Sequence, residues 1–164
     1  QLLLAGLPAT PVHRELDHGV WSPLSLMDPQ GEIPLVQLSI PANFTPAQLW
    51  QLGEALQGLR AQGIGILASG AITHNLRALG PDDSPVPRWA SSFVSWLEQT
   101  MEQGDRTALE DYRARAPGAA ESHPHDDHLR PLFVALGAAG SDRPTRLHQS
   151  WDYGSLYMGA YRFG

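Results

Sequence analysis

The sequence predicts one α/β domain in which a central sheet, mostly parallel or mixed, is flanked by helices. Two short apolar runs, 34–40 and 64–68, predict buried strands. Between them, Thr45 and Pro46 supply an N-cap and a first-turn proline, leucines follow at helical spacing, and Gly63 ends the helix. A strand, a helix and a strand in that order predict a right-handed crossover and a parallel pair of strands.

Three further helices follow the predicted parallel pair. One spans about 88–103 and is stopped by Gly104, a short one is capped by Asp105 and runs through Tyr112, and the third begins at Asp126. The tail, residues 146–163, predicts one or two closing strands. Because no internal repeat and no linker interrupts this pattern, residues 1–164 are interpreted as a single domain.

Composition excludes several classes of protein. The net charge is -6 with only 11 Lys and Arg residues, which argues against a nucleic-acid partner because such a partner requires a basic face. No run reaches the roughly 18 apolar residues of a membrane helix, and no signal peptide is recognisable. The sequence contains no Cys, so a disulfide framework is excluded and any metal must be held by His, Asp or Glu. A cytoplasmic enzyme is the expectation.

The beginning of the sequence suggests a fragment. Gln1 is not preceded by Met, and residues 2–5 resemble the last turn of a helix that Gly6 stops. We therefore expect an α/β domain that lacks its N-terminal portion, so that a further segment of the same protein would complete it.

Two histidines stand out by their local surroundings. His74 follows the second predicted strand in a loop of small residues, and ligands of open α/β sheets bind at the carboxyl ends of strands. Its alternative role is to cap the next short helix. His18 stands between Asp17 and Gly19, and a carboxylate can orient an imidazole at a catalytic site. A turn with a buried hydrogen bond is the alternative for His18.

The remaining candidates lie in the region of the third helix. His128 shares a predicted helix face with apolar residues, which suits either a metal ligand or a hydrogen-bonded core histidine. His123 and His125 precede the helix and are interpreted as surface residues. The sequence has no nucleophile elbow, phosphate-binding loop, dinucleotide fingerprint or zinc-protease helix motif. Without a resemblance, the residues predict an α/β domain with a histidine-based site.

Several segments taken together carry a resemblance to a known family. They are residues 16–21 (LDHGVW), 33–39 (IPLVQLS), 68–77 (ASGAITHNLR), 123–132 (HPHDDHLRPL) and 153–156 (YGSL). In this order and at this spacing, the chain from about residue 12 onward resembles the class III extradiol ring-cleavage dioxygenases of the DOPA 4,5-dioxygenase type, in the LigB-like superfamily.

The resemblance implies a mononuclear Fe(II) or Zn(II) site that acts on a small aromatic diol and O2, opening the ring beside the diol. It implies that His128 is a metal ligand and that His74 is the acid/base beside the metal, although some descriptions count His74 as a ligand. It implies that His18 contacts the substrate or oxygen. Two more ligands of the family belong to an N-terminal segment that this sequence lacks, so activity is expected to require that segment.

Two alternative functions remain open. The chain could be a binding or regulatory module of the same fold that is catalytically incomplete. It could also be a zinc-dependent, hydrolase-like enzyme that uses the same histidines. Metal analysis combined with oxygen uptake in the presence of a catechol would distinguish the dioxygenase from the hydrolase-like enzyme.

Overall fold

The computed structural model describes residues 2–3 and 5–164. Within these ranges the protein is mainly helical, with short antiparallel strands at the end of the chain. The helices are α1 (His18–Met27), α2 (Pro46–Arg60), α3 (Arg88–Gln103), α4 (Arg106–Glu110), α5 (Tyr112–Arg115), α6 (Ala119–Ser122) and α7 (Arg130–Ala139). The strands are β1 (Pro144–His148), β2 (Trp151–Asp152), β3 (Leu156–Tyr157) and β4 (Ala160–Phe163). Among the described residues, no helix combines the length and apolar character needed to cross a membrane.

Helices α2 and α7 form the centre of the core, and two glycines allow their backbones to approach. A Cβ on Gly53 would overlap the carbonyl oxygen of Val134, and a Cβ on Gly137 would overlap that of Trp50. Both glycines are buried. The helix pair therefore depends on the absence of side chains at this crossing, as in other close helix contacts.

Replacing Gly53 with Ala is expected to lower the free energy of unfolding by about 1–3 kcal/mol, because the added methyl group forces the two backbones apart. Gly58 lies on the same helix, and a Cβ at this position would have no atom from another part of the fold within 4 Å. The matched variant Gly58→Ala should therefore raise the free energy of unfolding by about 0.5–1 kcal/mol through helix propensity. Denaturant titration of both variants measures the difference. Equal effects would contradict close packing at Gly53.

The signals for helix ends are confirmed at α2 and α3. The Thr45 side chain accepts a hydrogen bond from the backbone N–H of Gln48 in a capping box, and Pro46 begins α2. Gly104 ends α3 with φ 66°, and the Asp105 side chain then accepts from the backbone N–H of Ala108. These residues act within one turn, so their effect could be read directly from the sequence.

The predicted central sheet is not confirmed. Residues 34–40 and 64–68 have no strand assignment, and the crossover-linked parallel pair is not formed. Among the described residues, no backbone–backbone hydrogen bond joins 34–40 to another segment. The side chains of these runs are largely exposed, with Val36 at 90% and Leu67 at 55%. A strand needs a neighbouring strand for its N–H and C=O groups, and these runs have none here.

The end of the chain forms strands as predicted, but in four short pieces. β1 pairs with β4 and β2 pairs with β3, both antiparallel. Glu98 of α3 holds this region to the helices, because it accepts hydrogen bonds from Tyr157 and Tyr161 at 2.7 Å and from Arg146 at 2.9 Å.

Helix α1 has no counterpart among the elements predicted from the sequence. The helix contains Pro23 and has no buried residue. It therefore lacks the buried apolar stripe by which an amphipathic helix is recognised in a sequence.

Candidate functional site

His18, His74 and His128 converge, although they lie far apart in the sequence. The rings of His74 and His128 are stacked, with centroids 3.6 Å apart and planes inclined by 14°. The ring of His18 lies 6.2 Å from that of His128. His74 and His128 are half-buried and His18 is exposed, so the cluster opens to solvent at His18. The structure therefore brings together the three histidines to which the resemblance gives roles.

Each histidine lies at the beginning of a helical element. His18 is the first residue of α1, and the backbone N–H of Asp17 before it donates to the Gln37 side chain at 3.0 Å. His74 precedes a 3₁₀ turn that is capped by the Asn75 side chain. His128 lies in a turn before α7 and not inside a helix beginning at Asp126, so that prediction was wrong. Pro131 in the first turn is compatible with the later start.

Backbone hydrogen bonds connect the loop of His74 to the loop of His128. The N–H of Ala71 donates to the carbonyl oxygen of His128, and the N–H of His74 donates to that of Ser122, both at 2.8 Å. We call this set of contacts between residues 70–75 and 121–128 the loop clamp. These hydrogen bonds join the backbone segments that carry the two stacked rings.

Gly70 makes the loop clamp possible. A Cβ at this position would overlap the carbonyl oxygen of His128 and would also touch Pro131. The sequence indicated that small residues here let a ligand approach the backbone. In the structure, the group that approaches Gly70 is the backbone of His128.

His123 contradicts its interpretation as a surface residue. It is fully buried, its Nε2 lies 2.7 Å from the carbonyl oxygen of Ile72, and its ring meets the Phe93 ring edge-on at 5.7 Å. Burial lowers the pKa of His123 to about 4. His125 is exposed, as predicted. His123 lies between a short helix and a turn, so it belongs to no periodic pattern that would have indicated its burial.

The buried His123 predicts a pH-dependent stability. Its pKa in the folded state is about 4, below the 6.5 of an ordinary histidine, so the unfolded chain binds the proton first as the pH falls. The free energy of unfolding should therefore fall between about pH 6.5 and about pH 4, by up to roughly 3 kcal/mol. Denaturant titrations across this range measure the loss. His123→Phe should flatten the dependence and His125→Ala should not, and equal slopes in all three proteins would contradict the assignment.

The surroundings of His74 favour the neutral imidazole. Partial burial lowers the pKa of His74, the neighbouring His128 ring lowers it further, and Asp127 raises it in part. A neutral imidazole near neutral pH can accept a proton, as a general base must.

The described residues do not form a complete metal site. Among them, no group of three or more His, Asp or Glu side chains is arranged to hold an ion. His74 and His128 present imidazole nitrogens of the type that Fe(II) and Zn(II) bind. A complete coordination sphere would need donors beyond those that the described part of the chain brings together.

An open groove of about 610 Å³ lies beside the histidines. His128 contributes to its lining together with residues 63–72, part of α7 and the last residues of the chain, 159–164. The groove is thus bordered by one of the apolar runs that has no strand partner.

Comparison with known proteins identifies related sequences and a related structure. The family model described as the catalytic LigB subunit of aromatic ring-opening dioxygenase matches residues 3–164. A 4,5-DOPA dioxygenase extradiol of Beta vulgaris is 40% identical over 151 residues, which cover 92% of this chain and 56% of that protein. A 4,5-DOPA dioxygenase extradiol of Escherichia coli K12 is 36% identical, covering 99% of this chain and 62% of that protein.

The fold is also found in a solved structure. The crystal structure of the uncharacterized protein JW3007 from Escherichia coli K12 superposes with a TM-score of 0.87 at 36% identity, covering 99% of this chain and 69% of the other. The chain spans somewhat more than half the length of the curated relatives that it matches.

Proposed function

Because this chain belongs to the LigB family of aromatic ring-opening dioxygenases, we propose that the complete protein is an extradiol dioxygenase. Its substrates would be O2 and a small catechol of the DOPA type, whose ring is cleaved beside the diol. The observation that carries the proposal is the convergence of His18, His74 and His128 in a chain of this family.

The stacked geometry supports different roles for the two central histidines. An imidazole binds a metal through a lone pair in the plane of its ring. Two nearly parallel rings stacked one above the other cannot both direct such lone pairs at a single ion. We therefore assign His128 as a metal ligand and His74 as the acid/base that exchanges a proton with the substrate. The lowered pKa of His74 supports the second role.

We assign to His18 a contact with the substrate or oxygen. It is exposed, it begins α1, and its ring lies farther from His128 than the ring of His74 does. Because it lies at the exposed side of the cluster, it can meet a ligand that enters from solvent. A contact from His18 to the bound substrate would help to orient the diol for proton transfer to His74.

A mononuclear Fe(II) or Zn(II) ion would supply the chemistry that activates O2 and the diol. His128 would contribute one ligand, and we propose that an N-terminal segment of the complete protein contributes the others. The unpaired apolar runs 34–40 and 64–68 and the groove beside them support this, because they offer strand edges and apolar surface to such a segment.

Oxygen consumption tests the proposed function. The complete protein is loaded with ferrous iron under anaerobic conditions, mixed with DOPA, and exposed to O2. We expect uptake of one O2 per DOPA and formation of the yellow ring-opened semialdehyde. Metal binding without oxygen uptake would contradict the proposal and favour a binding module. Hydrolysis supported by zinc alone would favour the hydrolase-like alternative.

A further inference from the structure

We propose that His123 is a positioning residue that sets the distance between His74 and His128; this inference rests on the proposed function for its effect on activity. It is five residues from His128 in sequence and contacts the chain two residues before His74. Its carbonyl oxygen accepts a hydrogen bond from Arg113, and its ring forms a hydrogen bond with Ile72. Neither the resemblance nor the comparisons assign it a role.

The contact that His123 makes is directional. A carbonyl oxygen can only accept, so Nε2 carries the proton and donates it to the oxygen of Ile72 at 2.7 Å. This ring contact adds a side-chain link to the backbone bonds of the loop clamp. Because Thr73 alone separates Ile72 from His74, a shift of Ile72 would move the His74 ring relative to its partner.

The other side of His123 is anchored to the helical layer. The guanidinium of Arg113 donates to the carbonyl oxygens of His123 and Ala119. The ring packs against Phe93 of α3, which is itself fully buried. Through His123, the position of Ile72 is fixed relative to α3, which lies outside both loops.

A purely structural role would be served better by an apolar side chain. Burying an imidazole has a desolvation cost that a hydrogen bond only offsets. Within the part of the chain that the structure describes, Nδ1 of His123 is buried without a hydrogen-bond partner. An apolar ring would avoid this cost, but it could not hold Ile72.

Two substitutions in the complete protein separate positioning from packing. His123→Phe keeps an aromatic ring against Phe93 and removes the donor. His123→Gln keeps an N–H at about the same reach and removes the ring. We expect H123F to lower kcat by about 10²-fold with little change in KM, because a displaced catalytic group costs about this much. H123Q should restore most of the lost kcat.

A second measurement does not depend on activity. In 13C-labelled histidine spectra, the stacked His74 and His128 rings shield each other's C–H protons. H123F should shift these resonances downfield, and H123Q should leave them near their wild-type positions. These spectra can be recorded on the metal-free protein whether or not the enzyme cleaves a catechol. Failure of the proposed function can therefore be distinguished from failure of this inference.

The inference would be overturned if H123F kept both the ring shifts and kcat at wild-type values. It would also be overturned if H123F and H123Q shifted the resonances equally, since that result would indicate packing. Should H123F fail to fold, R113M provides the second variant, because Arg113 is exposed and its loss releases the carbonyl oxygens of His123 and Ala119 while the His123 ring is unchanged. R113M should then move the His74 and His128 resonances in the same direction, and unchanged resonances would reject the proposal.

Discussion

His128→Ala in the complete protein is expected to lose bound metal, whereas His74→Ala is expected to retain metal and lose turnover. Removing a group that only orients a ligand typically costs about 10–100-fold in metal affinity, so removing a ligand should cost more than about 100-fold. Loss of a general acid/base typically costs about 10²–10⁴-fold in rate. Metal content after gel filtration and single-turnover kinetics with DOPA measure the two effects.

The control for both variants is His125→Ala. His125 lies three residues from His128 but is exposed, and it is not one of the three converging histidines. The His125→Ala variant should therefore have the metal content and the kcat of the unsubstituted protein. Equal loss of metal from H74A and H128A would show that His74 is a ligand, and the assignment from the stacked rings would then be wrong.

Residues 1–164 produced alone are expected to show no ring cleavage and low solubility. The structure exposes apolar side chains on the runs that lack strand partners, among them Val36 at 90% and Leu67 at 55%, and on α1, where Leu26 is 86% exposed. Unpaired strand edges and exposed apolar surface favour aggregation. The donors of this chain also form no complete metal site within the described residues.

The assay compares this chain with the complete protein at equal concentration. Ferrous iron and DOPA are added anaerobically, O2 is admitted, and the yellow semialdehyde is followed by absorbance. Supplying the remaining segment as a separate polypeptide should restore colour if it docks on the exposed runs. Rapid colour formation by residues 1–164 alone would overturn both the proposed need for that segment and the assignment of His128 as one ligand among several. The site would then have to be built from His18, His74, His123, His125 and His128.

The sequence determined those features that depend on neighbouring residues. Pro46, Gly104 and Asp105 act within one turn of the helix that they begin or end, so the start of α2, the end of α3 and the start of α4 followed from them. The family resemblance identified His18, His74 and His128 as candidates, because the motifs that contain them are continuous segments of sequence. Their convergence is present in the structure.

Only the tertiary structure decided features that depend on distant partners. Whether residues 34–40 and 64–68 form strands depends on neighbouring strands that the described residues do not provide. The sequence of an apolar run does not show whether such a neighbouring strand is present. The burial of His123 is set by Phe93 and by Ile72, 30 and 51 residues away in the sequence. The stacking of His74 on His128 likewise depends on hydrogen bonds between two loops. Such contacts are determined by packing in three dimensions, whereas helix caps are determined by bonds along the chain.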